Sequence, residues 1–100
     1  MTTVTVALPA HLRKLARVEE EVRVEVSGTP SPTTVLDALE SLHPELRGTI
    51  REHGTRRRRA YLRYFAAGDD ISHNDPDLPL PEPVVSGHEP FIVIGAISGG

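Results

Sequence analysis

The chain has 100 residues, of which 38% are hydrophobic and 25% are charged, and it contains no cysteine. This length predicts one domain with a small core, and the lack of cysteine excludes a disulfide scaffold, a thiolate metal site and a cysteine nucleophile. No stretch approaches the roughly 20 apolar residues of a membrane span, and no basic segment with a following apolar run opens the sequence. We therefore expect no membrane association, no secretory signal and a cytoplasmic location.

The formal net charge of −3 is distributed unevenly along the chain. Residues 1–46 carry an excess of acids, residues 47–63 carry seven arginines against Glu52 alone, and residues 64–100 carry six acids and no basic residue. This segregation predicts a basic face and an acidic face.

The first two predicted elements are strands. Apolar and polar residues alternate over residues 4–8 and again over residues 22–26, which is the pattern of strands with one buried face. Pro9 ends the first strand because proline donates no hydrogen bond to a sheet. Residues 10–19 are predicted to be a long connection with at most a short helical turn.

A helix is predicted to follow. Pro32 suits the first turn of a helix, and either Ser31 or Thr33 is its predicted N-cap. His43 precedes a proline, so the helix should end there. The apolar residues at helical spacing are Val35, Leu36, Leu39 and Leu42.

The second half of the chain alternates short elements with irregular segments. A short second helix is predicted within residues 46–54, a strand at residues 61–66 and a turn at residues 68–70. The proline-rich segment 75–90 is predicted to be irregular. Residues 91–97 are apolar on both faces, which is typical of a strand in the middle of a sheet.

The sequence ends in Ser98, Gly99 and Gly100. Because two of these residues have no side chain, such a segment can enter a narrow cleft, and two or three extended residues reach about 7–10 Å. We therefore predict a single domain over residues 1–97 and a flexible tail, residues 98–100, that presents the carboxylate of Gly100 to a partner.

Five segments, in this order, resemble the MoaD/ThiS family of sulfur carrier proteins. They are Val4-Thr5-Val6, Thr33-Thr34-Val35-Leu36-Asp37-Ala38-Leu39, Gly68-Asp69-Asp70-Ile71, Gly87-His88-Glu89-Pro90 and Gly99-Gly100. The resemblance implies an α+β fold of the ubiquitin-like β-grasp type, a mixed four- to five-stranded sheet with one main helix on one face. The ending Ile97-Ser98-Gly99-Gly100 differs slightly from the commoner Val-Ala-Gly-Gly and keeps small residues beside the glycines.

The resemblance also implies a chemistry for Gly100. An adenylating enzyme uses ATP to convert the carboxylate into an acyl-adenylate, and a sulfur donor protein then displaces AMP to leave a thiocarboxylate. That group passes its sulfur to a synthase that makes molybdopterin, thiazole, cysteine or another thio-metabolite. The chain is then a protein cosubstrate and not an enzyme, binds no cofactor or metal itself, and is expected to be a monomer when alone.

Two other interpretations remain open at this stage. The chain could be a ubiquitin-like modifier conjugated through Gly100, or a non-catalytic β-grasp binding module. A possible partner surface comprises Phe65, Arg56, Arg57, Arg58 and Arg59. The arginine run is compatible with a solvated loop, with docking on an acidic protein or with nucleic acid, and the acidic last third of the chain opposes nucleic acid.

Overall fold

The computed structural model describes residues 1–95. Its strands are β1 (Thr2–Ala7), β2 (Val22–Val26), β3 (Leu62–Ala66), β4 (Asp69–Asp70) and β5 (Phe91–Gly95). Its helices are α1 (Ala10–Ala16), α2 (Pro32–Leu42) and α3 (Glu82–Val85), with one 3-10 turn at Pro44–Leu46. The longest of these helices has 11 residues, so none within residues 1–95 could cross a bilayer.

The five strands form one mixed sheet in the order β2-β1-β5-β3-β4. Strands β1 and β2 are antiparallel, with Val4 opposite Val24, and β1 runs parallel to β5, with Val6 opposite Phe91. Strand β3 is antiparallel to both β5 and β4. The last strand is therefore central, as its apolar composition predicts.

Alternation along the strands places one face of the sheet against the helices. In β2 the three valines are buried and Arg23 and Glu25 are exposed. Each valine removed from water contributes about 1.5–3 kcal/mol. The other side of the sheet, here called the open face, is not covered by any helix of residues 1–95. Both predicted N-terminal strands are thus confirmed, and they form an antiparallel pair.

Helix α2 begins at the predicted proline, and Ser31 is its N-cap. The Ser31 hydroxyl accepts a hydrogen bond from Thr34 N at 3.2 Å, while Thr34 Oγ1 accepts one from Ser31 N at 2.9 Å. This reciprocal pair satisfies two backbone donors at the start of the helix. The helix ends before His43, as expected, but Leu42 is exposed and does not join the core.

Several short elements differ from the sequence predictions. Residues 10–16 form a complete helix and not a single turn, and Asp69–Asp70 is a strand where a turn is predicted, because the turn occupies Ala67 and Gly68. The second helix is only the 3-10 turn Pro44–Leu46, and the proline-rich segment contains α3. Prolines in its first turn suit α3, since these positions need no backbone donor.

Candidate functional site

The C-terminal end of β5 is the last part of the chain that the structure describes. Gly95 lies opposite Leu62 of β3. A Cβ atom placed on Gly95 would lie 3.0 Å from the His11 ring and 3.6 Å from Leu62 Cδ2. Glycine thus lets the start of α1 close over this end of the sheet. The predicted site residues Ser98, Gly99 and Gly100, and the domain boundary at residue 97, lie outside the described residues.

Apolar side chains occupy the open face beside the end of β5. Ile92 and Ile94 of β5 point away from the helices, and Ile94 is 43% exposed. Phe65 of β3 lies opposite Ile92, and Ala7 of β1 lies opposite Ile92 on the other side. These four residues, here called the apolar patch, lie on the three central strands of the sheet. Sequence reasoning identified Phe65 but not its neighbours.

The arginine run forms a closed loop of residues 51–59, here called the arginine loop. An isolated bridge pairs Arg51 with Arg58, and Glu52 N donates to Arg57 O at 2.7 Å. Arg56 adopts a left-handed conformation with φ of 60°, which is uncommon for a residue that has a Cβ atom. The loop is therefore ordered by its own backbone contacts and is not merely a solvated connection.

Arg51 is buried although it is charged, and only 6% of its side chain is exposed. Its Nε donates to Glu40 at 3.0 Å, and its Nη2 contacts Asp37 and Glu40 at 2.9 Å each. Burial acts to lower the pKa of Arg51, but the hydrogen bonds to Glu40 and Asp37 outweigh it and raise the pKa above its usual value. Arg51 therefore connects the arginine loop to α2.

Arg58 and Arg59 hold the loop to neighbouring backbone. Arg58 donates from Nε to the Ser72 carbonyl at 3.1 Å and from Nη1 to the Leu62 carbonyl. Arg59 donates to the Gly48 carbonyl at 3.1 Å. Arg58 thus ties together the loop, the segment after β4 and the residue that lies opposite Gly95.

The predicted partner residues do not form one surface. Phe65 belongs to the open face, whereas the neighbouring Tyr64 points to the helix-covered side, because successive side chains alternate in a strand. Arg56, Arg57 and Arg58 border the same cavity as Tyr64. The structure therefore separates the apolar patch from the arginine loop.

Tyr64 is a buried residue on the helix-covered side of β3. It is 4% exposed, and its ring packs on Phe91 with 5.4 Å between ring centroids. Its hydroxyl is buried and has no hydrogen-bond partner among the described residues. Burial, opposed by the nearby charges of Arg51 and Arg58, raises the pKa of Tyr64 to about 12, so the phenol keeps its proton. No sequence pattern distinguishes this tyrosine from an ordinary core tyrosine.

The predicted basic face is partly neutralised by acids from elsewhere in the chain. Arg51 contacts two carboxylates of α2, and Arg63 contacts Asp70 at 2.9 Å. Arg56 lies 3.5 Å from Asp37. Within residues 1–95, Arg47, Arg57, Arg58 and Arg59 make no ion pair, so these four arginines carry the unpaired positive charge of the basic segment.

Asp70 fixes the segment after β4, which Arg58 of the arginine loop contacts at the Ser72 carbonyl. The hydroxyl and the backbone N–H of Ser72, followed by the Arg63 guanidinium, lower the pKa of Asp70 from 3.8 to about 2. Ser72 Oγ in turn accepts a hydrogen bond from Tyr64 N at 2.8 Å. The carboxylate thereby orders the backbone beside Tyr64.

We expect an NMR titration to give Asp70 a midpoint near pH 2. Since this pKa is lower in the folded state than in the unfolded state, the carboxylate stabilises the fold above about pH 4, and this contribution is lost as the pH falls towards about 2. Ser72→Ala should raise the midpoint towards the ordinary value, and Arg63→Gln should raise it less. A midpoint at or above 3.8 in the wild-type protein would contradict this arrangement.

Comparison with known proteins identifies the fold. No protein-family profile and no curated protein matches the sequence. SAMP1 from Haloferax volcanii superposes with a TM-score of 0.75 at 21% identity, covering 98% of this chain and 99% of that one. The BexX/CysO complex from Amycolatopsis orientalis gives 0.73 at 18% identity, covering 97% and 99%. The small archaeal modifier protein 1 from Methanosarcina acetivorans gives 0.72 at 25% identity, covering 100% and 98%.

These neighbours are small β-grasp proteins of the ubiquitin-like type, and they are matched over nearly their whole length. The predicted α+β class and β-grasp fold are therefore confirmed. The chain has the architecture of small carrier and modifier proteins.

Proposed function

We propose that this protein is a small sulfur carrier that is activated at the carboxylate of Gly100. The observation that carries the proposal is the position of β5: a strand in the middle of a β-grasp sheet leads within five residues to Gly99 and Gly100. The full-length similarity to SAMP1 and CysO supports it.

The proposed chemistry takes place in two steps. The Gly100 carboxylate attacks the α-phosphorus of ATP on an adenylating enzyme and expels pyrophosphate, which gives an acyl-adenylate. Sulfide then adds to the carbonyl carbon and expels AMP. Where the donor is a persulfide, its terminal sulfur adds instead to give an acyl disulfide, and a thiol reduces the S–S bond by exchange and is itself oxidised to a disulfide. The product is a thiocarboxylate, and one difficult substitution has been divided into two easier ones.

In this proposal the chain contributes a terminus and a docking surface, and the partner contributes the catalytic groups. The apolar patch lies on β5 and its neighbours, and it suits a flat contact that leaves the last residues free to enter a partner's cleft. The Amycolatopsis orientalis structure is a complex of CysO with BexX, and we propose that this chain likewise docks on a partner. Because the proposed reaction uses ATP, we propose that it takes place in the cytoplasm.

Intact-mass spectrometry tests the proposal. The protein is incubated with each adenylating enzyme of the source organism, ATP and sulfide, and we expect a gain of about 16 Da, the difference between sulfur and oxygen. Deletion of Gly100 should abolish the gain without changing the circular dichroism spectrum, and omission of ATP is the matched control. No gain with any of these enzymes would contradict the sulfur-carrier proposal.

The second candidate function is protein modification, and the two neighbours named small archaeal modifier protein 1 favour it. A modifier would use the same adenylate but form an amide bond between Gly100 and a target lysine. Immunoblots of cells would then show higher-mass bands that resist reducing agents and disappear on deletion of Gly100. A simple binding module would instead be insensitive to that deletion and sensitive to substitutions at Arg56–Arg59.

A further inference from the structure

A cavity of about 550 Å³ lies on the helix-covered side of the molecule. It is bounded by the start of α2, the arginine loop, β3 and residues 71–76. Here it is called the arginine cavity. Its volume falls within the range of pockets that hold small molecules. It is distinct from the apolar patch, because it opens on the opposite side of the sheet.

The charged residues that line the arginine cavity are all basic. Arg51, Arg56, Arg57 and Arg58 all line it, together with His73, and none of the described lining residues is acidic. The acids that neutralise Arg51, Asp37 and Glu40, border a separate cavity instead. The field inside the arginine cavity is therefore positive, which disfavours a metal cation and favours an anion.

Two of these arginines retain donors for a ligand. The Arg57 guanidinium makes no hydrogen bond or ion pair with residues 1–95, although the Arg57 backbone is held by the loop. Arg51 uses Nε and Nη2 for the carboxylates of α2, and its Nη1 has no partner within the same residues. Guanidinium groups bind carboxylate and phosphate oxygens through paired, charge-assisted hydrogen bonds.

The Tyr64 hydroxyl is the second, independent sign of a ligand. It belongs to the cavity lining, is buried, and lacks a partner in the described part of the chain. A buried hydroxyl without an acceptor is uncommon, since its desolvation is uncompensated. Because this phenol stays protonated in the physiological range, it can donate a hydrogen bond to an anion that reaches the hydroxyl from the cavity.

The lining also has an apolar part, which comes from Leu36, Ile71 and two prolines, and the remaining lining residues are polar and uncharged. Leu36 is buried and Ile71 is half-buried, so both present hydrocarbon surface inside the fold. A bare inorganic ion would leave this surface unused. A ligand that joins an anionic group to an apolar body would contact both parts of the lining.

We propose that the arginine cavity binds a small organic anion, a carboxylate or phosphate monoester attached to an apolar group. Its anionic oxygens accept hydrogen bonds from Arg57 and Tyr64, and its apolar part packs on Leu36 and Ile71. This site does not depend on the function proposed for Gly100. Arg58 lies between the two regions, because it lines the cavity and also binds the carbonyl of Leu62, opposite Gly95.

Titration of the ¹⁵N-labelled full chain with phenyl phosphate and with benzoate tests the proposal, with benzyl alcohol as the neutral control. We expect saturable shifts of the backbone amides of Arg57, Arg58, Ser72 and His73 with one or both anions, and none with benzyl alcohol. Inorganic phosphate should bind at least about tenfold more weakly than phenyl phosphate, since it lacks the apolar group.

Three variants locate the site. Tyr64→Phe should weaken binding about tenfold and leave the unliganded fold intact, because the lost hydroxyl has no partner. Arg57→Gln should weaken it by a similar factor. Arg23→Gln, which removes an exposed arginine on the open face of β2, should leave binding unchanged.

Several results would overturn the proposal. One is the absence of saturable amide shifts with phenyl phosphate and with benzoate up to about 10 mM. Others are amide shifts with benzyl alcohol as large as those with the anions, or an affinity for inorganic phosphate equal to that for phenyl phosphate. Binding that is unchanged in both Tyr64→Phe and Arg57→Gln, or that is lost equally in Arg23→Gln, would also overturn it. Failure of these tests would not affect the mass assay on Gly100, so the two proposals can be judged separately.

Discussion

Phe91→Ala is expected to lower the free energy of unfolding by about 3–5 kcal/mol. Phe91 is the first residue of β5, is fully buried and lies opposite Val6 in the centre of the sheet. Its ring also packs on Tyr64 at an interplanar angle of 52°. Truncation removes these contacts and leaves a cavity that rigid strands on both sides cannot close.

Urea unfolding followed by circular dichroism measures this loss. Phe91→Leu is the matched control and should cost less than about 1.5 kcal/mol, since it keeps most of the volume. A domain of this size has a total stability of only about 5–15 kcal/mol, so the alanine variant should be partly unfolded at moderate temperature. An alanine variant as stable as the leucine variant would show that Phe91 does not organise the core.

The same variant connects the core to the proposed function. Strand β5 carries Ile92 and Ile94 on the open face and leads towards Gly100. If the sheet opens, the apolar patch, which we propose as the docking surface, is lost. The Phe91→Ala variant should therefore gain sulfur more slowly in the mass assay, in proportion to its unfolded fraction, whereas Phe91→Leu should react as the wild-type protein does.

The main elements of the fold could be predicted because their signals are local. Period-two alternation identifies β1 and β2, the apolar run from Phe91 identifies a central strand, and Ser31 with Pro32 identifies the start of α2. The short elements carry weaker signals. Helix α1 has seven residues with no acid in its first turn and no side-chain N-cap, and β4 has two residues that become a strand only by pairing with β3.

The candidate site could be predicted only in part. Composition locates a group of arginines, but it cannot tell which of them are buried and paired. Arg51 is buried against two acids of α2, whereas the Arg57 guanidinium makes no such contact within residues 1–95. That difference depends on contacts between residues 11 and 14 positions apart. Likewise, the Tyr64 hydroxyl lacks a hydrogen-bond partner within residues 1–95 because of the side chains that pack around it in the fold. No residue spacing in the sequence predicts that packing.

Arg51→Met should lower the free energy of unfolding by about 2–4 kcal/mol. The substitution keeps an unbranched side chain in the buried space but leaves Glu40 without its counter-ion and Asp37 with Arg56 alone, at 3.5 Å. Only 16% of the Glu40 side chain is exposed, so water cannot fully replace the lost guanidinium, whereas Asp37 is 43% exposed and contributes less. Arg47→Met, at an exposed arginine of the same segment, should change stability by no more than about 0.5 kcal/mol.

A double-mutant cycle separates the ion pair from simple packing. Adding Glu40→Gln to Arg51→Met removes the stranded charge, so the double variant should be more stable than Arg51→Met alone. Glu40→Gln in the wild-type background should instead be destabilising, because it weakens the ion pair. If both backgrounds respond to Glu40→Gln in the same direction and by the same amount, the two residues are not coupled. In that case the arginine loop is held to α2 by its hydrocarbon contacts, and Arg51 does not fix the wall of the arginine cavity through its charge.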